Sequence, residues 1–169
     1  MPAAENIQLV VFDFCPYCQR DRIVAEQTGL THEVVPILPG NAPDWFKQAS
    51  PEGKVPLAMI DGEPVLESAA IAELFDTLTG HSLMPDDPVL QARVRRWVTM
   101  ASDCQGSMGA VIRAGDEAAY TEALQSLQAQ LPQVAGELDP DGPFFCGQQL
   151  TLADCAFAPL LLELQELDP

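Results

Sequence analysis

The sequence predicts a small α/β domain followed by an all-helical one. Three observations carry this. Strand-like patterns occur only up to residue 66. Helical periodicity fills the chain after that point. Between the two regions lies Pro85-Asp86-Asp87-Pro88, a turn-forming break. The expected boundaries are residues 1–80 for the α/β domain, 81–88 for a linker and 89–169 for the helical domain.

Each element has its own signal. Ile7–Phe12 is a β-branched and apolar run that reads as a buried strand. From Pro16 to Gly29, apolar Ile23, Val24 and Leu30 recur at helical spacing, with Gly29 as the stop. His32–Leu38 is a second strand, demoted by Pro36 to an edge or to that strand's end. Asn41–Gln48 holds a short helix with Pro43 in its first position. Pro56–Ile60, Asp61-Gly62 and Val65-Leu66 read as a hairpin, because Asp-Gly suits a two-residue turn. Glu67–Leu78 is a helix ending near Gly80. The order is β-α-β-α-β-β-α.

Beyond the break, Asp86 or Asp87 caps a helix over Val89–Met108, and Glu117–Leu138 forms another. Gly109 and Gly115 separate them. Asp139–Gly147 is a turn-rich connector, and Thr151-Leu152-Ala153-Asp154 opens a last helix. Thr151 is expected to cap the Asp154 N–H while Asp154 reaches back, with Leu150 packing on Cys155. Val94, Trp97 and Met100 are read as a core stripe, and Cys104, Cys146 and Cys155 as small buried apolar residues.

Charge excludes several partners. With 25 acidic and 8 basic residues the formal charge is −17. Nucleic acid and anionic membrane surfaces need a Lys/Arg field, so neither is an expected partner. The start MPAAENIQLVVF lacks a basic n-region and a long apolar run. Cys155–Leu162, the longest uncharged apolar run, is far short of the roughly 20 residues that span a bilayer. A cytoplasmic protein is expected, with its five cysteines reduced at rest.

Three stretches carry chemistry. In Phe12-Asp13-Phe14-Cys15-Pro16-Tyr17-Cys18, Cys15 ends a loop and Pro16 takes the first helical position. Unpaired N–H groups and the positive end of the helix dipole there favour a thiolate. A free cysteine with a pKa of about 8.5 can fall to about 7 or lower in such a setting. Cys18 lies almost a turn further in, close enough to attack a mixed disulfide on Cys15. Structural zinc needs four ligands, and neither the scattered cysteines nor His32 and His81 supply them, so no metal is expected. In Gly53-Lys54-Val55-Pro56-Leu57, the proline pushes Val55 into extended backbone. That presents an edge for a peptide-like ligand, or simply opens a strand. In Glu67-Ser68, Ser68 is a natural N-cap. With Glu67 it is either a clamp for a zwitterion or a plain cap.

Taken together, CPYC, Val-Pro and Glu-Ser opening a helix, followed by helices, resemble the glutathione transferase superfamily. The tract Pro43-Asp44-Trp45-Phe46…Ser50-Pro51…Val55-Pro56 is similar to its cysteine-type members, the omega and dehydroascorbate reductase classes, and CPYC itself is the motif of glutaredoxins. The resemblance implies a thioredoxin-like first domain that binds glutathione. It implies that Cys15 forms a mixed disulfide with glutathione, which a second glutathione or Cys18 resolves. Val55 would pair through its backbone with the cysteinyl unit, before a cis Pro56 facing the CxxC. Glu67 and Ser68 would hold the γ-glutamyl end, and Tyr17 would wall the site. Omega-type members carry a lysine where this chain has Ala42, which leaves Lys54 or Lys47 for the glycyl carboxylate. The chain stops at Pro169 where relatives continue, so either a compact variant or a truncated form is expected, with the apolar run Phe157–Leu164 then needing a partner.

The implied function is a glutathione-dependent thiol transferase that reduces glutathionyl mixed disulfides or dehydroascorbate. A homodimer is among the expected partners. Three alternatives compete with this reading. Conjugation of glutathione to electrophiles is weakened by cysteine at position 15. A non-enzymatic interaction module would have no need of CPYC. A glutathione-bridged iron–sulfur carrier is disfavoured by the rigid Pro16.

Overall fold

The computed structural model describes residues 4–80, 83–138 and 140–167. Residues 81 and 82 of the expected linker, His81 among them, and Asp139 of the connector lie outside these. The chain divides into two compact units, Met1–Met84 and Pro85–Pro169.

The first unit runs β1 (Ile7–Val11), α1 (Pro16–Thr28), β2 (Glu33–Pro36), α2 (Asp44–Ala49), β3 (Leu57–Ile60), β4 (Glu63–Leu66) and α3 (Ser68–Thr79). Its sheet has the order β2-β1-β3-β4. β1 lies parallel to β2 and antiparallel to β3, and β3 and β4 form an antiparallel hairpin. Pro36 ends edge strand β2 and Pro64 sits in edge strand β4, the places where a missing N–H is tolerated. The Asp61-Gly62 turn has positive φ at both residues, 49° and 90°, as a type I′ turn demands. One sheet face packs Val10, Ile37 and Leu57 against Phe46 of α2. By strand alternation Leu9 and Val11 point to the other face, where α1 and α3 pack together. This is the expected βαβαββα arrangement. Pro43 takes the N-cap of α2 instead of the first helical position, leaving Asp44 in the first turn beside the positive helix end.

The second unit consists of α4 (Pro88–Ile112), α5 (Glu117–Glu137) and α6 (Leu152–Leu167). Asp87 caps α4 through the N–H groups of Val89 and Leu90, and Asp116 caps α5 through that of Ala119. α4 continues through Gly109 for another turn, because nothing but propensity opposes a helical glycine and Met108 is fully buried there. The buried stripe of α4 runs Val94, Trp97, Val98, Ala101, Cys104, Met108, and Met100 lies one position off it, half-buried. Trp97 meets Phe145 and Phe157 edge-on at 5.4 and 5.9 Å, and those two rings stack at 4.3 Å. Cys104 and Cys155 are buried as expected, whereas Cys146 is only half-buried.

The start of α6 departs from the expected reciprocal pattern in one respect. Asp154 Oδ2 accepts from the Thr151 N–H at 2.8 Å, but the Thr151 hydroxyl donates to that same oxygen instead of accepting from the Asp154 N–H. The Asp154 N–H goes to the Thr151 carbonyl. Oδ1 meanwhile accepts from the Phe145 N–H at 2.9 Å, tying the connector to the helix. Among the described residues no strand follows β4, and no helix is long and apolar enough to cross a membrane.

Candidate functional site

The first unit gathers the three sequence signals at the carboxyl end of β1. After Val11 the chain leaves the sheet, and Cys15 becomes the N-cap of α1 with φ −92° and ψ 114°. Pro16 stands in the first turn, where its missing N–H costs nothing. The Cys18 N–H donates to Cys15 Sγ at 3.4 Å, which places an orphan helix donor on the sulfur. The same sulfur lies 4.0 Å from the carbonyl oxygen of Val55. The Val55-Pro56 bond is cis, as expected, and Pro56 is buried while Val55 is half-exposed.

Cys18 differs sharply from Cys15. It is 1% exposed against a half-exposed Cys15. Its thiol is held far above the ordinary range, first by its hydrogen bond with Cys15, then by burial and by the neighbouring charges of Cys15 and Asp21. The pair is therefore built asymmetrically: an outer sulfur at the helix mouth and an inner one that keeps its proton. No disulfide joins any of the five cysteines.

Residues 67 and 68 exchange their expected places. Glu67 takes the N-cap of α3 in the left-handed region (φ 70°), makes no side-chain cap bond and is exposed. Ser68 is the first helical residue, and its hydroxyl accepts from Arg20 Nη1 at 3.2 Å. A capping hydroxyl must stand before the helix, and the packing of α1 on α3 draws Ser68 inward to Arg20 instead. Lys54 ends a loop closed on one side chain: the Ser50 hydroxyl accepts from the Lys54 N–H at 3.0 Å and donates to its carbonyl at 2.9 Å. The Lys54 ammonium is exposed and pairs with Glu52, and Lys47 pairs with Asp44 at 3.0 Å. Exposed pairs of this kind are weak enough to exchange partners. Tyr17 is half-buried, with the Arg20 guanidinium 5.7 Å from its ring centre.

Sequence reasoning passed over Arg20, Asp21 and Ser50. Arg20 is 2% exposed, Asp21 0% and Ser50 1%. The available signal was helical spacing: Cys18, Asp21, Val24, Ala25 and Thr28 share the inward face of α1, so a charged residue in that series had to be buried.

Comparison with known proteins agrees with this architecture. Residues 9–82 match the model of the glutathione S-transferase N-terminal domain, and residues 85–169 match that of its C-terminal domain. The chain belongs to the glutathione S-transferase family. It is 29% identical over 165 residues to glutathione S-transferase omega-1 of Sus scrofa, covering 96% of this chain and 68% of that protein. It is 27% identical over 156 residues to glutathione S-transferase DHAR2 of Arabidopsis thaliana, covering 89% of this chain and 67% of the relative. Among solved structures, glutathione transferase Omega 3C of Trametes versicolor superposes with a TM-score of 0.82 at 28% identity, covering 94% of this chain and 73% of that one. By name these relatives are omega and DHAR glutathione S-transferases, the groups that the CPYC and Val-Pro tract resembles.

Proposed function

We propose that this protein is a glutathione-dependent thiol transferase, with Cys15 as its nucleophile. The observation that carries the reading is the position of one sulfur. Cys15 Sγ sits at a helix N-terminus, receives the Cys18 N–H and stands 4.0 Å from the Val55 carbonyl. A thiolate there is stabilised by the helix end. It also lies beside backbone able to pair with a peptide-like ligand. Ser68 and the Glu67 carboxylate would take the γ-glutamyl end, Val55 the cysteinyl unit, and Lys54 the glycyl carboxylate, with Tyr17 as a wall. In the reaction the Cys15 thiolate attacks the disulfide of a glutathionyl substrate, forms Cys15–glutathione and expels the other thiolate. Reduction of dehydroascorbate by the same group of residues is the companion activity. We also propose that it acts in the cytoplasm, alone or as a homodimer.

Intact-mass measurement after incubation with oxidised glutathione tests this. The expected result is one glutathione on Cys18→Ser, mapped to Cys15, a Cys15–Cys18 disulfide or the same adduct on the wild type, and none on Cys15→Ser. A Cys18→Ser protein left unmodified overturns the reading.

A further inference from the structure

α1 buries a carboxyl group that the thiol-transfer reading does not use. Asp21 is fully inaccessible, and neither of its carboxylate oxygens accepts a hydrogen bond. Buried polar atoms without a partner are rare, because leaving one unmade costs about 1–3 kcal/mol. Asp21 lies three residues after Cys18 on the same inward face of α1. Side chains at that spacing are neighbours, with Cβ atoms about 5–6 Å apart. We propose that Asp21 is the proton acceptor that activates Cys18 when it resolves a mixed disulfide on Cys15.

The cluster around it explains how one carboxyl can serve. On α1 the charged and titratable neighbours are Cys15, Cys18 and Arg20. On the buried face of α3, packed along α1, the polar groups are Ser68 and Asp76. Ser68 receives Arg20 Nη1, and Asp76 is engaged by the N–H groups of Leu83 and Met84 at 2.7 and 3.1 Å. Burial pushes the Asp21 carboxyl well above the usual range, the Arg20 guanidinium pulls it back, and a negative Cys15 pushes it up again. A thiolate at Cys15 therefore favours the protonated form of Asp21. Formation of Cys15–glutathione removes that negative charge and shifts the balance toward the carboxylate that Arg20 favours, the form the resolving step uses.

The resolving step balances. The Asp21 carboxylate takes the proton of Cys18 as the Cys18 sulfur attacks Cys15 Sγ. A Cys15–Cys18 disulfide forms, the bond to glutathione breaks, and glutathione thiolate leaves with the electron pair. Asp21 ends protonated. The role also fits the inner thiol, which is held protonated by burial and by its hydrogen bond with Cys15 and needs an acceptor for that proton when it attacks.

This proposal rests on the thiol-transfer reading, and the experiment separates the two. Cys15–glutathione is prepared with oxidised glutathione, excess reagent is removed, and glutathione release is followed across pH in wild type, Cys18→Ser and Asp21→Asn. The wild-type adduct should resolve on its own, and that of Cys18→Ser should persist. In Asp21→Asn the ratio of the resolution rate to the adduct-formation rate should fall about 100-fold. Its rate should rise steadily with pH, without the wild-type plateau. An infrared difference spectrum of Cys18→Ser, reduced against adduct, should lose one carboxylic-acid carbonyl band. That measurement needs no change at Asp21 and so does not depend on how the Asn variant folds. An unchanged ratio and pH profile in Asp21→Asn overturns the assignment, as does a carbonyl band that adduct formation leaves in place. A wild-type adduct that waits for added glutathione also overturns it, while the transferase reading stands. Failure to form any adduct overturns both.

Discussion

The two sulfurs of the CPYC turn show how little sequence separation is needed to give one residue type two chemistries. Cys15 ends the loop and meets helix donors; Cys18, within the first turn, is buried and shares its face with Asp21. Asp21 has a measurable signature besides catalysis. The folded protein holds the Asp21 proton to higher pH than the unfolded chain, whose carboxylate titrates near about 4. Between that pH and the raised folded value the native state binds the extra proton, so its stability falls as pH rises through the window. Asp21→Asn removes this dependence. Denaturant titrations of both proteins should show the stability of Asp21→Asn gaining on wild type with rising pH, by up to about 1.4 kcal/mol per pH unit. A constant difference from pH 4 upward would mean that Asp21 titrates like an exposed carboxylate.

At the scale of elements, boundaries follow capping chemistry more than composition. Asp87, Asp116, Gly29 and Gly80 end or begin helices where local rules put them. Gly109, by contrast, stands inside α4, since the burial of neighbouring Met108 outweighs a propensity cost of about 1 kcal/mol. α6 depends on one carboxylate that accepts from the Thr151 N–H, the Thr151 hydroxyl and the Phe145 N–H. Asp154→Ala strips all three donors and should destabilise the protein by at least about 2 kcal/mol, read as a drop in the denaturation midpoint. Asp154→Asn keeps an acceptor oxygen and should recover part of the loss. A loss below about 0.5 kcal/mol for the alanine variant would mean that the connector and helix start hold without this carboxylate.

At the scale of the molecule, a charge of −17 surrounds a site read as taking an anionic tripeptide. Long-range repulsion slows the approach of oxidised glutathione and is screened by salt, with a Debye length of about 10 Å at 0.1 M. The adduct-formation rate constant should therefore rise about twofold between low and physiological ionic strength, measured by stopped-flow mixing. A fall instead would show that a local cation such as Lys54 governs encounter.

Read as a chain, the residues were enough for the two-part architecture, the β-α-β-α-β-β-α order, the hairpin at Asp61-Gly62 and a Cys15 at a helix mouth. Each of these follows from rules spanning a few neighbours: periodicity, turn conformation, and the orphan donors of a helix end. The partners inside the site followed no such rule. Arg20 reaches Ser68 across 48 positions and Cys15 faces the Val55 carbonyl across 40, and both depend on how α1 lies beside α3 and β3. For the same reason Ser68 turned inward instead of capping, and Asp21 emerged as a buried carboxyl without a hydrogen bond. Local pattern places a side chain on a helix face. What that face meets, and therefore which proton it can hold or release, is settled by the packing of elements far apart in the chain.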